Sequence, residues 1–135
     1  MSFIPYNPNP KGKVAEDCTV RAISKLTNKS WDDAYMLVCA GGLIEKTMPD
    51  QKSAITTLMG MLGYKNHPLP NTCPKCYTIK QFCIDHPRGS YMVATGSHVV
   101  AVIDGNYYDA FNSGNEVLLN YWGKENQNEF EPPKR

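Results

Sequence analysis

No run in this sequence is apolar for long enough to span a membrane, and its opening, MSFIPYNPNPKGK, lacks the apolar stretch of about 7–15 residues that a secretory signal requires. These absences predict a cytoplasmic protein with no membrane partner. Charge of one sign is equally scarce. With 14 basic against 13 acidic side chains the net charge is +1, so the electrostatic footprint that binds a phosphate backbone is missing and nucleic acid is not expected as a partner. An apolar share of 41% beside a charged share of 20% excludes a disordered or fibrous class. At 135 residues the chain has the length of one ordinary domain, which buries roughly two thirds of its unfolded surface. A single domain over 1–135 is expected.

What is present begins with five cysteines, Cys18, Cys39, Cys73, Cys76 and Cys83. An odd count without a signal peptide is a poor disulfide framework, which leaves free thiols, a metal or catalysis. Along the chain, residues 1–13 hold three prolines and predict an extended surface arm. Asp17 is placed to cap a helix that carries Val20, Ile23 and Thr27 and stops at Asn28. Ser30 caps a second, with Trp31, Ala34, Tyr35 and Val38 on one face and an end at Gly41-Gly42. Asp50 is read as the cap of a third, where Ile55, Leu58, Met59 and Leu62 recur at helical spacing before Gly63. Residues 66–76 read as a loop. Thr78 and Gln81 form a capping-box pattern for a short fourth helix bearing Ile79, Phe82, Cys83 and His86.

From residue 91 the period changes. Tyr91-Met-Val-Ala-Thr and His98-Val-Val-Ala-Val-Ile are apolar on both faces, and Asp104-Gly105 is a strong hairpin signal before Asn106-Tyr-Tyr-Asp-Ala-Phe111. Residues 117–122 add a strand or short helix, and 124–135 read as a frayed tail. Helices first and strands last, without βαβ alternation, predict an α+β fold with the helices on one side of an antiparallel sheet. Of the larger aromatics, Trp31, Tyr35, Tyr107, Tyr108 and Trp122 are expected in the core.

Cys18 in the first turn of a helix feels the positive end of the macrodipole, which favours thiolate and makes it a candidate nucleophile. Against this stands the tendency of a cysteine beside an apolar helix to be core. Cys18, however, lies between Asp17 and Thr19 and precedes the apolar face. His98 opens the most apolar strand, where a general base would be rigidly held. If Asp104 and Gly105 are the two central turn residues, Ile103 pairs with Asn106 and His98 faces Phe111, with Asp109 its diagonal neighbour on the same face. Asp109 then orients the imidazole. A three-residue turn would put Asn112 opposite His98 instead.

"DCTVRAI" opening a helix and "GSHVVAVIDGNYYDAFNSG" some eighty residues later resemble the papain-like cysteine peptidases, in particular small phage and bacterial members with an Asp-Cys-x-x-Arg-Ala start. The resemblance implies a papain-like fold and a catalytic Cys18-His98-Asp109 triad acting on a peptide or protein substrate. It also implies a side-chain amide ahead of the nucleophile as oxyanion donor, for which Asn7 and Asn9 are the available residues. A rival signal is Cys73-Pro-Lys-Cys76 followed by Cys83 and His86, four ligand types that zinc accepts. The apolar setting of Cys83 and the helix-end place of His86 count against it. No cofactor is therefore expected. The favoured reading is a cysteine peptidase or isopeptidase. Its alternatives are a non-catalytic papain-like binding module, phage-encoded and directed at a host protein, and a zinc-knuckle interaction domain.

Overall fold

Local capping chemistry sets several helix ends in a computed structural model that describes residues 1–14 and 16–124. Helix α1 (Cys18–Thr27) ends where Asn28 turns left-handed at φ 57°. Helix α2 (Trp31–Glu45) starts under the Ser30 hydroxyl, which accepts the Asp33 N–H at 3.1 Å. Helix α3 (Lys52–Met61) follows Gln51 rather than the expected cap Asp50. Helix α4 (Ile79–Asp85) begins with the Thr78 hydroxyl accepting the Gln81 N–H. The pair Gly41-Gly42 does not stop α2. Both glycines are buried, and a Cβ on Gly41 would stand 2.9 Å from the Ala54 carbonyl oxygen, so they admit close packing instead of ending the helix.

Six strands form one sheet: β1 (Ser2–Pro5), β2 (Tyr64–Pro68), β3 (Ser90–Ala94), β4 (Val99–Ile103), β5 (Asn106–Asp109) and β6 (Asn120–Lys124). Their order is β1-β5-β4-β3-β6-β2. The sheet is mixed where an antiparallel one was expected. The N-terminal segment, read as an arm, pairs in parallel with β5, Phe3 beside Tyr107. Residues 64–68, partly assigned to a loop, pair antiparallel with β6, and His67 stacks on Tyr121.

Alternation along the central strands decides the layers. Met92, Ala94, Val99 and Ala101 join Trp122 and the apolar faces of α1, α2 and α3 in one core cluster. Tyr91, Val93, Val100, Val102 and Tyr107 join Ile79, Phe82 and Cys83 of α4 in another. The fold is α+β, but its helices are not confined to one side: strands apolar on both faces need cover on both, and α4 supplies the second. Among the expected core aromatics, Trp122 and Tyr107 are buried, while Tyr35 is exposed and stacks on Trp31 at 5.1 Å. No helix among the described residues is long and apolar enough to cross a membrane. The expected frayed tail, beyond Lys124 in β6, lies outside the described residues.

Candidate active site

The site is assembled from the start of α1 and the neighbouring ends of β4 and β5. Asp104 and Gly105 take positive φ of 51° and 77°, the two-residue turn with primed geometry that matches strand twist. The turn fixes the register: Ile103 lies opposite Asn106 and Ala101 opposite Tyr108. Extended to the strand ends, this register brings the Phe111 ring onto the His98 ring at 5.1 Å and places Asp109 diagonally from His98. His98 Nε2 and Asp109 Oδ2 are 2.7 Å apart. The backbone behind His98 is also held, because its carbonyl accepts the Thr95 N–H at 2.8 Å.

Since Nε2 is engaged by Asp109, Nδ1 is left to face Cys18, which lines the same cleft as the imidazole. Burial alone would raise the Cys18 thiol. The His98 hydrogen bond, the Val99 N–H, the His98 charge and the Thr19 hydroxyl outweigh it, and the thiol lies below its ordinary value. Burial would likewise lower His98, but hydrogen bonds and charge from Asp109 and Cys18 hold it up at about 9. Asp109 is pushed up by its own burial and brought below the usual carboxylate range by His98, Ser113 and the Ala110 N–H. The lowered thiol and the raised imidazole both favour a thiolate facing an imidazolium, backed by a carboxylate.

Cys18 and His98 open onto a cleft of about 600 Å³ whose walls include Thr19, Ile55, Ser97 and Phe111. Exposed Glu16, Asp50 and Lys52 stand at its margin, with Lys52 Nζ donating to Asn120 Oδ1 at 2.7 Å. The first-turn N–H groups of α1 have no carbonyl partner within the helix and lie next to the thiol.

Other expected site residues are placed elsewhere. Asn112 is not an orienter: the two-residue turn keeps it from His98, and its side-chain oxygen accepts from the Tyr107 hydroxyl and the Gly114 N–H. Asn7 and Asn9 do not line the cleft. Asn7 donates to the Lys13 carbonyl, and its side-chain oxygen, like that of Asn9, accepts a backbone N–H two residues on, so both amides shape the proline-rich arm. The four zinc candidates are not gathered. Cys73 and Cys76 form a disulfide, which the odd cysteine count had argued against. Cys83 is buried against Ile79 and Phe82, its thiol pushed up to about 12 by burial. His86 Nδ1–H donates to the Phe82 carbonyl, and the ring stacks on Phe82 at 3.9 Å. Among the described residues no group of three or more His, Cys, Asp or Glu is placed to hold a metal ion. Cys39 is half-buried and free.

Three residues of the site were not singled out from sequence. Ser113 donates to Asp109 Oδ2 at 2.6 Å. Arg21, 4% exposed, stands 3.7 Å from Asp109 Oδ1 and 3.2 Å from Asp17 Oδ1. Trp31 Nε1 donates to the other Asp17 oxygen at 2.8 Å, so the expected helix cap serves as an ion-pair partner instead and makes no cap bond. The spacing of Asp17 and Arg21, four apart on a helix, is a sequence signal for such a pair. Nothing local marks Ser113. Compared with family models, with curated proteins and with solved structures, the chain finds no match in any of the three.

Proposed function

We propose that this protein is a cysteine-dependent acyl hydrolase of the papain-like kind, a peptidase or isopeptidase working in the cytoplasm on a peptide or protein substrate. The observation that supports it is one line of groups: Cys18 beside His98 on the same cleft, its thiol lowered by that imidazole, and His98 Nε2 2.7 Å from an Asp109 that is 1% exposed. An unreactive core cysteine has no need of a buried carboxylate and an imidazole in line behind it.

In this mechanism the Cys18 thiolate attacks the substrate carbonyl carbon, and the carbonyl electron pair moves to oxygen. The first-turn N–H groups of α1 receive that oxyanion. His98 Nδ1–H gives its proton to the leaving nitrogen as the C–N bond breaks, which leaves a thioester on Cys18. Water then attacks the thioester, His98 Nδ1 takes its proton, and the departing thiolate restores the pair. Asp109 keeps the imidazole in the tautomer that presents Nδ1 to sulfur and steadies its positive charge.

An epoxide or vinyl-sulfone peptide probe followed by peptide mapping tests this. It is expected to label Cys18 in the wild-type protein and to lose that labelling in His98→Ala. Equal labelling of Cys18 and the half-buried Cys39, unaffected by His98→Ala, would remove the proposal.

A further inference from the structure

Arg21 lies one helical turn beyond Cys18, deeply buried, yet among the described residues its Nε and Nη1 find no hydrogen-bond acceptor. Idle donors on a buried guanidinium cost stability, so packing alone does not account for the residue. Its position is nevertheless closely fixed. Nη2 donates to Asp17 Oδ1, and Asp17 is held in turn by the Trp31 indole at the start of α2.

The two oxygens of Asp109 have different partners. Oδ1 accepts the Ala110 N–H at 2.7 Å and faces Arg21 Nη1, whereas Oδ2 receives His98 Nε2 and the Ser113 hydroxyl. We propose that Arg21 is a positioning residue: anchored by Asp17 and Trp31, it holds Oδ1 of Asp109 and so keeps Oδ2 turned to His98. This rests on the thiol-hydrolase reading and extends it by one more layer of residues.

The same guanidinium sets the local charge balance. From α1 come Arg21 and, through His98, Cys18; from the turn before β4 comes His98; from the loop after β5 comes Ser113. Strand β1, which flanks β5, brings no charged side chain, and Tyr6 just after it gives only its N–H to the Asp109 carbonyl. Asp17, buried, pairs with Arg21 on its other side, and Glu16, Asp50 and Lys52 stand around the cleft. Among the described residues Arg21 is therefore the arginine or lysine in ion-pair contact with Asp109. Its positive charge favours the thiolate and, by sharing Asp109, limits how firmly the imidazolium keeps its proton.

The experiment is the rate of iodoacetamide alkylation at Cys18, read by peptide mapping across roughly pH 4 to 10, in the full chain and in Arg21→Met, Arg21→Lys and Asp17→Asn. Wild-type protein should give a plateau between an acid limb set by Cys18 and an alkaline limb set by His98. In Arg21→Met, loss of a positive charge moves both limbs to higher pH, and loss of the clamp lowers the plateau roughly tenfold. Arg21→Lys restores the limbs but not the plateau, because an ammonium lacks the planar fork. A profile for Arg21→Met that superimposes on wild type, whatever its melting temperature, overturns the inference. Should Arg21→Met not fold, a lowered plateau in both Arg21→Lys and Asp17→Asn supports the clamp, and a wild-type plateau in either removes it. A wild-type acid limb at the ordinary thiol value of about 8.5 would instead sink the hydrolase reading, before any variant is compared.

Discussion

Replacing Asp109 with Asn keeps the outline of the side chain and removes one charge from a residue that is 1% exposed. Burial works against a charged His98, yet Asp109 and Cys18 together hold it at about 9, against an ordinary 6.5. At roughly 1.4 kcal/mol for each tenfold change, that rise corresponds to about 3 kcal/mol in favour of the imidazolium. Asp109 supplies both a hydrogen bond and a charge to it. The Cys18 share depends on the thiolate, which itself depends on the imidazolium, so the two contributions fail together. With the carboxylate gone, burial is no longer opposed, and the pair reverts to neutral thiol and neutral imidazole at mildly acid pH.

The assay is alkylation of Cys18 at about pH 6, where an unperturbed thiol is almost wholly protonated. Asp109→Asn is expected to slow it roughly a hundredfold, the consequence of losing most of those 3 kcal/mol, while near-ultraviolet circular dichroism stays that of a folded protein. The rate should recover above the ordinary thiol range, where ionisation no longer needs a partner. A folded variant that alkylates within about threefold of wild type at this pH would show that Asp109 does not hold the charge pair together, and the reasoning would fail.

Two further outcomes follow from the geometry. Folding raises His98 above its ordinary 6.5 and lowers Cys18 below its ordinary 9.0, so the first makes stability fall with rising pH, the second makes it rise, and the two oppose each other. Cys18→Ala leaves His98 raised by Asp109 alone, a contribution complete below 6.5 and lost as pH rises through the folded value; urea midpoints should therefore fall with pH above 6.5, and level midpoints would contradict the assignment. Gly42→Ala puts a Cβ 2.9 Å from the Thr47 carbonyl oxygen and 3.0 Å from Pro49 Cα, both backbone, so about 1–3 kcal/mol should be lost in denaturant titration. An unchanged midpoint would mean that the α2 end yields freely.

What could be read from sequence is what chain neighbours decide. Ser30 and Thr78 cap because a hydroxyl reaches an N–H three residues on, and Asp104-Gly105 turns because both residues take positive φ within one short hairpin. Partners far apart in the chain were harder. The segment Ser2–Pro5 has proline at one end and no alternation that names its neighbour, and its pairing with β5 joins residues about a hundred positions apart. Gly41-Gly42 carries the usual signal for a helix end, but the signal cannot tell a left-handed stop from a seat for another backbone. At this place the Ala54 carbonyl and Pro49 fill the space a side chain would need.

The site divides along the same line. Cys18 was legible from its place at a helix start, and His98 with Asp109 from the register that a two-residue turn imposes over the next few residue pairs. The first inference needs one helix and the second one hairpin. Joining them requires α1 to lie across the end of the β4–β5 hairpin, and that depends on Val20, Ile23, Val99 and Ala101 sharing one core. Asp17 shows the limit most clearly. A local rule makes it a cap, but the folded chain offers its carboxylate a buried guanidinium and an indole N–H. A charged partner in a buried setting gives a stronger bond than a neutral backbone N–H, so the tertiary pair prevails over the cap. The side chain that begins the nucleophile's helix is thereby committed to Arg21, and through Arg21 to the carboxylate behind the imidazole.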